Sequence, residues 1–149
     1  ALFDFYDALA EEKQVRLQLV GAAEIVGDRL MLRRALSNLL SNAIRYTPPG
    51  EQVVVDIQGD LHGTTVDVVN TGPSIDAQII PRLFDRFFRA DKSRKQLDSD
   101  GAGLGLSITQ AIVHAHRGRI SVSSADGRTC FSMYFPSAQS IGKHLTTDA

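Results

Sequence analysis

The sequence predicts an α+β fold in which about five strands form a mixed sheet packed against about three helices. Three observations carry that prediction. A leucine stripe at helical spacing fills residues 29 to 46, between a capping aspartate and a Pro-Pro-Gly stop. Two pairs of β-branched or aromatic runs, 53–57 with 65–69 and 119–124 with 129–135, are each joined by a short glycine-containing link. At 149 residues the chain is long enough for one domain with a sizeable core and too short for two comfortable ones.

Residues 1–14 read as a helical lead-in from a preceding segment, because Leu2, Tyr6, Leu9 and Lys13 recur at helical spacing with Phe5 beside them. Val15 to Val20 alternates as a half-buried strand does and ends at Gly21; Glu24-Ile25-Val26 reads as a second short strand. Asp28 caps the helix over 29–46, whose apolar stripe is Leu32, Leu36, Leu39, Ala43 and Ile44, before Pro48-Pro49-Gly50 stops it. The strands at 53–57 and 65–69 form an antiparallel hairpin across Gly59-Asp60-Leu61-His62-Gly63. From Pro73 to Gly101 periodicity fails except around Ile79 to Phe88, the pattern of a lid or binding loop. Gly105 to His116 is helical, with Gly118 in the C′ position. The strands at 119–124 and 129–135 pair across Ala125-Asp126-Gly127-Arg128, so the domain covers 15–136 and residues 137–149 form a frayed tail.

Composition narrows the class. A formal net charge of −1 gives no global pull toward nucleic acid or acidic lipid, so any electrostatic specialisation is local. The lone Cys130 lies in an apolar run without a disulfide partner, which fits a reducing compartment and a buried structural thiol. No stretch approaches the length of a membrane span, and Asp4 and Asp7 stand where a secretory signal would carry lysine or arginine.

Two motifs carry chemistry. In Gly101-Ala102-Gly103-Leu104-Gly105-Leu106, glycines at alternate positions bare the backbone N–H groups just before a helix opens. Such a loop lets amides approach phosphate oxygens; the bland alternative is a flexible glycine-rich loop. On the helix at 29–46, Asn38, Asn42 and Arg45 or Tyr46 follow at three- and four-residue spacing and share a face apart from the leucines. A carboxamide oxygen is a hard neutral ligand for magnesium, arginine meets phosphate, and a tyrosine ring offers a flat surface to a base. The alternative is a solvated face that happens to hold asparagines.

Four segments in order resemble the boxes of sensor histidine kinases. Asn38-Leu39-Leu40-Ser41-Asn42-Ala43-Ile44-Arg45-Tyr46-Thr47 looks like the N box, Asn70-Thr71-Gly72-Pro73-Ser74-Ile75 like G1, Arg82-Leu83-Phe84-Asp85-Arg86-Phe87-Phe88-Arg89 like F, and Gly101 to Leu106 like G2. The likeness spans about residues 15 to 136 and is nearest in look to heavy-metal sensors of the copper/silver or cobalt-zinc-cadmium kind. It implies the catalytic ATP-binding domain, with the Bergerat α/β sandwich shared by gyrase, mismatch-repair ATPases and a heat-shock chaperone.

By that resemblance Asn42 holds Mg²⁺, Asn38 lies on the phosphate side, Arg45 binds phosphate, and Tyr46 and Ile75 flank the adenine of ATP. Gly72 belongs to the adenine-side G1 loop, and the amides of Gly101, Gly103, Leu104, Gly105 and Leu106 cradle the phosphates. Residues 76–100 form the ATP lid, locally basic through Arg82, Arg86, Arg89, Lys92, Arg94 and Lys95, with Arg86 and Arg89 the candidates to reach the γ-phosphate; a solvated basic loop is the plain alternative. Phe84, Phe87 and Phe88 read as a hydrophobic latch at the lid base.

Two departures stand out. The resemblance expects aspartate where this chain has Asn70, and an amide accepts the adenine amino group without charge assistance. It expects Gly-Thr where Arg128-Thr129 stands, with Gly127 one residue early, so Thr129 is carried over as an adenine-side contact across an altered motif.

Asn38 separates two chemistries. Hydrolysing ATPases of this fold carry glutamate there to activate water, and an asparagine takes no proton at neutral pH. Hydrolysis is thereby disfavoured, and the resemblance implies transfer to a histidine on a separate dimerisation domain; none of the four histidines here is followed by the acidic residue usual after the family's acceptor. His114 and His116, two apart on a helix, point about 200° apart and cannot share an ion. The expected protein is a membrane-anchored homodimeric histidine kinase with this domain on the cytoplasmic side of the inner membrane. It passes phosphate onward to a response regulator and binds no nucleic acid. The alternative is a nucleotide-binding docking module without transfer activity.

Overall fold

Asp28 starts the central helix as expected: its Oδ1 accepts the Met31 N–H at 3.0 Å, and the helix runs Arg29–Tyr46. The computed structural model describes residues 2–85 and 105–137. The helices are α1 (Leu2–Glu12), α2 (Arg29–Tyr46) and α3 (Gly105–Ala115), with a short 3₁₀ turn at Ile80–Arg82. The strands are β1 (Arg16–Gly21), β2 (Gln52–Gly59), β3 (Gly63–Thr71), β4 (Arg119–Ala125) and β5 (Arg128–Pro136). They form one sheet in the order β1-β2-β3-β5-β4, parallel only between β1 and β2.

Period-two alternation decides which sheet face meets the helices. Val53 and Val55 of β2, Val66 and Val68 of β3, and Phe131, Met133 and Phe135 of β5 are buried on that face with Leu39, Leu40, Ala43 and Ile44 of α2 and Ile112 and Val113 of α3. Each such aliphatic side chain taken fully out of water contributes about 1.5–3 kcal/mol before ordering costs. The N-terminal helix shares the core through Tyr6 and Ala10, and the Tyr6 hydroxyl bonds the Ser37 hydroxyl on α2.

Three local readings change. Glu24 to Val26 is not a strand; the segment passes the Gly59 end of the β2–β3 pair, where the Glu24 carbonyl accepts the Thr64 hydroxyl at 3.2 Å, and it pairs in a ladder with none of the described strands. The first hairpin link is shorter than expected, because Asp60 Oδ1 accepts the N–H groups of His62 (2.8 Å) and Gly63 (3.1 Å) and lets the strands extend. At the end of α3 the left-handed residue is Arg117 (φ 62°), not Gly118. The N–H of Arg117 bonds the His114 carbonyl and that of Gly118 bonds Val113, a Schellman closure. Gly118 is needed for space instead: a Cβ there would lie 2.2 Å from the Tyr134 carbonyl.

The turn between β4 and β5 has Asp126 and Gly127 both at positive φ (53° and 76°), as a two-residue hairpin requires. Its tip folds back on the loop after β3, with the Gly72 N–H donating to the Gly127 carbonyl at 2.9 Å.

Candidate functional site

The polar face of α2 begins at Asn38, which the fold turns toward α3. Its Nδ2 donates to the Gly105 carbonyl (3.2 Å) and to Thr109 Oγ1 (3.2 Å), while the Thr109 hydroxyl donates back to that same carbonyl (2.9 Å). Thr109 is fully buried. Asn38 and Gly105, 67 residues apart, are thus joined at the point where the glycine motif becomes a helix. Asn42 follows one turn along and is half-buried. Gly105 and Leu106 are half-buried in the first turn of α3, whose leading N–H groups have no intrahelical acceptor and favour an anion. Gly101, Gly103 and Leu104 lie outside the described residues, as do Arg86 and Arg89.

A second cluster forms between β3, β5 and the loop after β3. Asn70 (7% exposed) is in register with Thr129 (4%) on β5 and with Val53 on β2, so both polar side chains lie on the helix-facing side of the sheet. The loop is tied down by three main-chain donors. Ile75 N–H donates to Ser124 Oγ (2.8 Å), Gly127 N–H to Ser74 Oγ (3.1 Å), and Gly72 N–H to the Gly127 carbonyl. Ser124 Oγ and Thr129 Oγ1 then share a hydrogen bond of 2.7 Å. Ile75 is half-buried against the core. Gly72, at φ 140°, passes so close to the end of α2 that a Cβ would sit 2.9 Å from Pro48 Cδ.

Arg45 and Tyr46 close α2; Arg45 is half-buried and Tyr46 is 42% exposed. Lys13 reaches the carbonyls of Ile44 (2.6 Å) and Arg45 and caps the negative end of the helix. Partial burial, and secondarily the Arg45 charge, hold its ammonium below the ordinary lysine range. Just after the 3₁₀ turn, Leu83 is buried and the Phe84 ring meets Phe131 edge-on at 6.2 Å, which makes Phe84 a packing residue. Phe87 and Phe88 fall outside the described residues.

His116 has a structural task. Its Nε2 accepts the Asp28 N–H (3.0 Å), which leaves Nδ1 to donate to the Ile112 carbonyl (2.8 Å), while His114 is exposed. Among the described residues no three His, Cys, Asp or Glu side chains gather as a metal cage. The donor set here fits magnesium carried by a nucleotide. Magnesium keeps its waters and takes few protein ligands beside phosphate, and a half-buried carboxamide such as Asn42 is a suitable oxygen donor.

Thr109, Ser124 and Lys13 escaped sequence reasoning as members of the site. Thr109 had one local signal, a threonine four residues after Gly105 able to bond back to its carbonyl. Ser124 and Lys13 had none, because their partners are 49 and 31 residues away.

The family model described as histidine kinase-, DNA gyrase B-, and HSP90-like ATPase matches residues 27–139. The sensor histidine kinase CusS of Escherichia coli O157:H7 is 52% identical over 136 residues, covering 91% of this chain and 28% of CusS. The probable sensor protein PcoS of Escherichia coli is 40% identical over 132 residues, 89% of this chain and 28% of PcoS. Among solved structures, the mycobacterial sensor histidine kinase MprB superposes with a TM-score of 0.75 at 28% identity, covering 91% of this chain and 93% of that one. The chain spans about 28% of the length of the curated relatives it matches.

Proposed function

The chain belongs to the histidine kinase-, DNA gyrase B-, and HSP90-like ATPase family, as the ATP-binding catalytic domain of a sensor histidine kinase, and from that premise we propose how its residues serve phosphoryl transfer. The observation that carries the proposal is the Asn38 to Gly105 bond, which places the polar face of α2 against the helix start that follows the glycine motif. Asn42 would hold Mg²⁺, which neutralises charge on the phosphates when bound. Arg45 supplies a positive group at the C-terminal end of α2, and the amides from Gly101 to Leu106 receive phosphate oxygens. Asn38 acts mainly as a positioning residue, its NH₂ group spent on α3. Asn70 and Thr129 face the base, with Ile75 and Tyr46 at its sides. Arg86 and Arg89 of the lid steady the γ-phosphoryl group.

The acceptor is a histidine on a dimerisation domain elsewhere in the full protein. Its imidazole nitrogen forms the new N–P bond as the bond to the bridging oxygen breaks, and ADP leaves with that electron pair. Asn38 supports transfer over hydrolysis, since a carboxamide cannot take a proton from water. A response-regulator aspartate is the onward acceptor. The parent protein is an inner-membrane homodimer with this domain on its cytoplasmic side; among the described residues no helix is long and apolar enough to cross a membrane.

The test supplies the acceptor domain and γ-labelled ATP. Label should pass to the acceptor histidine, and Asn42→Ala should cut its rate by about a hundredfold or more, the scale of losing one electrostatic contact to the transferring group. Transfer at an undiminished rate would remove Asn42 from the metal role.

A further inference from the structure

Asn70 is more than nine-tenths buried, yet its side chain makes no hydrogen bond to any described residue. Its amide is not sealed from water, since among the described residues the fully buried side-chain atom without a partner is Asp67 Oδ1, so the carboxamide stands open to a ligand. Around it, the main-chain donors that could impose a fixed polarity are consumed internally: Gly72 N–H on Gly127, Gly127 N–H on Ser74, and Ile75 N–H on Ser124. What remains is reversible. The Asn70 amide presents oxygen or NH₂ after a half-turn of its terminal torsion. The Thr129 hydroxyl either donates to Ser124 Oγ or accepts from it, and in the second case its own proton is free.

From this we infer that the base end of the site has no built-in donor–acceptor order, and that the domain takes 6-oxopurine nucleotides as well as 6-aminopurine ones. The inference rests on the proposed assignment of Asn70 and Thr129 to the nucleobase. Adenine offers an amino donor at C6 beside an acceptor at N1. Hypoxanthine offers the reverse, an acceptor at O6 beside an N1–H donor. One amide orientation pairs with each edge, so Asn70 can complete its hydrogen bonds with either base. A carboxylate in the same place only accepts, and would set its charge against O6 of the oxopurine. Sites that commit buried groups to one polarity reject the wrong partner steeply; a site that can reverse them does not.

The experiment is a calorimetric titration of this chain with Mg·ATP and with Mg·ITP, repeated on Asn70→Asp, an isosteric change. The wild-type chain should bind ITP within about tenfold of ATP, and Asn70→Asp should raise the preference for ATP by at least about tenfold. An ATP preference beyond tenfold in the wild-type chain overturns the inference, whether or not the variant folds. So does an unchanged ATP-to-ITP ratio in a folded variant. Binding of ATP with rejection of ITP leaves the nucleotide pocket standing and sinks only its base tolerance; binding of neither by folded protein sinks both.

Discussion

The carboxamide of Asn38 donates to the main-chain carbonyl of Gly105 at 3.2 Å, and the Thr109 hydroxyl donates to that same oxygen at 2.9 Å. Two helices from distant parts of the chain therefore share one acceptor at the mouth of the glycine motif. Thr109→Val keeps the shape but removes one donor and leaves Asn38 short of an acceptor, so it should lower stability by about 1–2 kcal/mol. Urea unfolding with an unchanged m value checks this. Thr109→Ser should recover most of the loss, and nucleotide affinity should follow the same order because the first turn of α3, proposed to receive phosphate, loosens with the contact. A Thr109→Val protein with wild-type stability and affinity would show that the shared acceptor has no energetic weight.

Gly72 is under two constraints, a φ of 140° and a distance of 2.9 Å from its would-be Cβ to Pro48 Cδ. Gly127 has a positive φ of 76° but only an ordinary contact for an added Cβ, 3.6 Å from the Gly72 carbonyl oxygen. Gly72→Ala should accordingly cost about 1–3 kcal/mol, and Gly127→Ala should fall at the lower end of that range. Thermal melts of the two variants give the comparison directly. Since Gly72 also pins the loop that carries Ile75, its variant should bind nucleotide more weakly, whereas equal losses from both variants would mean that the Pro48 contact relaxes freely.

What the sequence made legible was local. The Asp28 cap, the leucine stripe of α2 and the Asp126-Gly127 turn each state their conformation within a few residues, and each stands where expected. Glu24 to Val26 misled because three extended residues make a strand only when a neighbour supplies a ladder. The same logic governs the site. Asn38, Asn42 and Asn70 could be singled out by residue type and motif, but the Asn38 bond to Gly105 and the Ser124 link to Ile75 are products of sheet order and helix packing. No window of the sequence contains both partners of either contact.

Arg117 closes α3 in the left-handed region at φ 62°, a conformation that costs a residue with a Cβ about 1–2 kcal/mol. Arg117→Gly removes that strain but adds freedom to the unfolded chain, for a net gain of up to about 1 kcal/mol. Its melting temperature should rise by several degrees. Gly118→Ala should do the opposite, because the new methyl would lie 2.2 Å from the Tyr134 carbonyl. If glycine at 117 destabilised the chain, the closure would depend on an arginine side-chain contact rather than on backbone geometry.

Cys130 lies on the sheet face away from the helices, half-buried and diagonal to Asp67, which faces Ser132 in the ladder. Burial first, and then the Asp67 charge, raise its thiol above the ordinary 9.0, with Arg128 pulling weakly the other way. Only the thiolate reacts with iodoacetamide, so a raised value means less reactive species at any pH below it. At pH 8 the folded chain should alkylate several-fold more slowly than the same chain in denaturant, and the rise of rate with pH should be displaced upward. Asp67→Asn removes one cause and should move that profile down, while Arg128→Ala should move it up. A native rate equal to the denatured one would mean that neither burial nor Asp67 disfavours the thiolate.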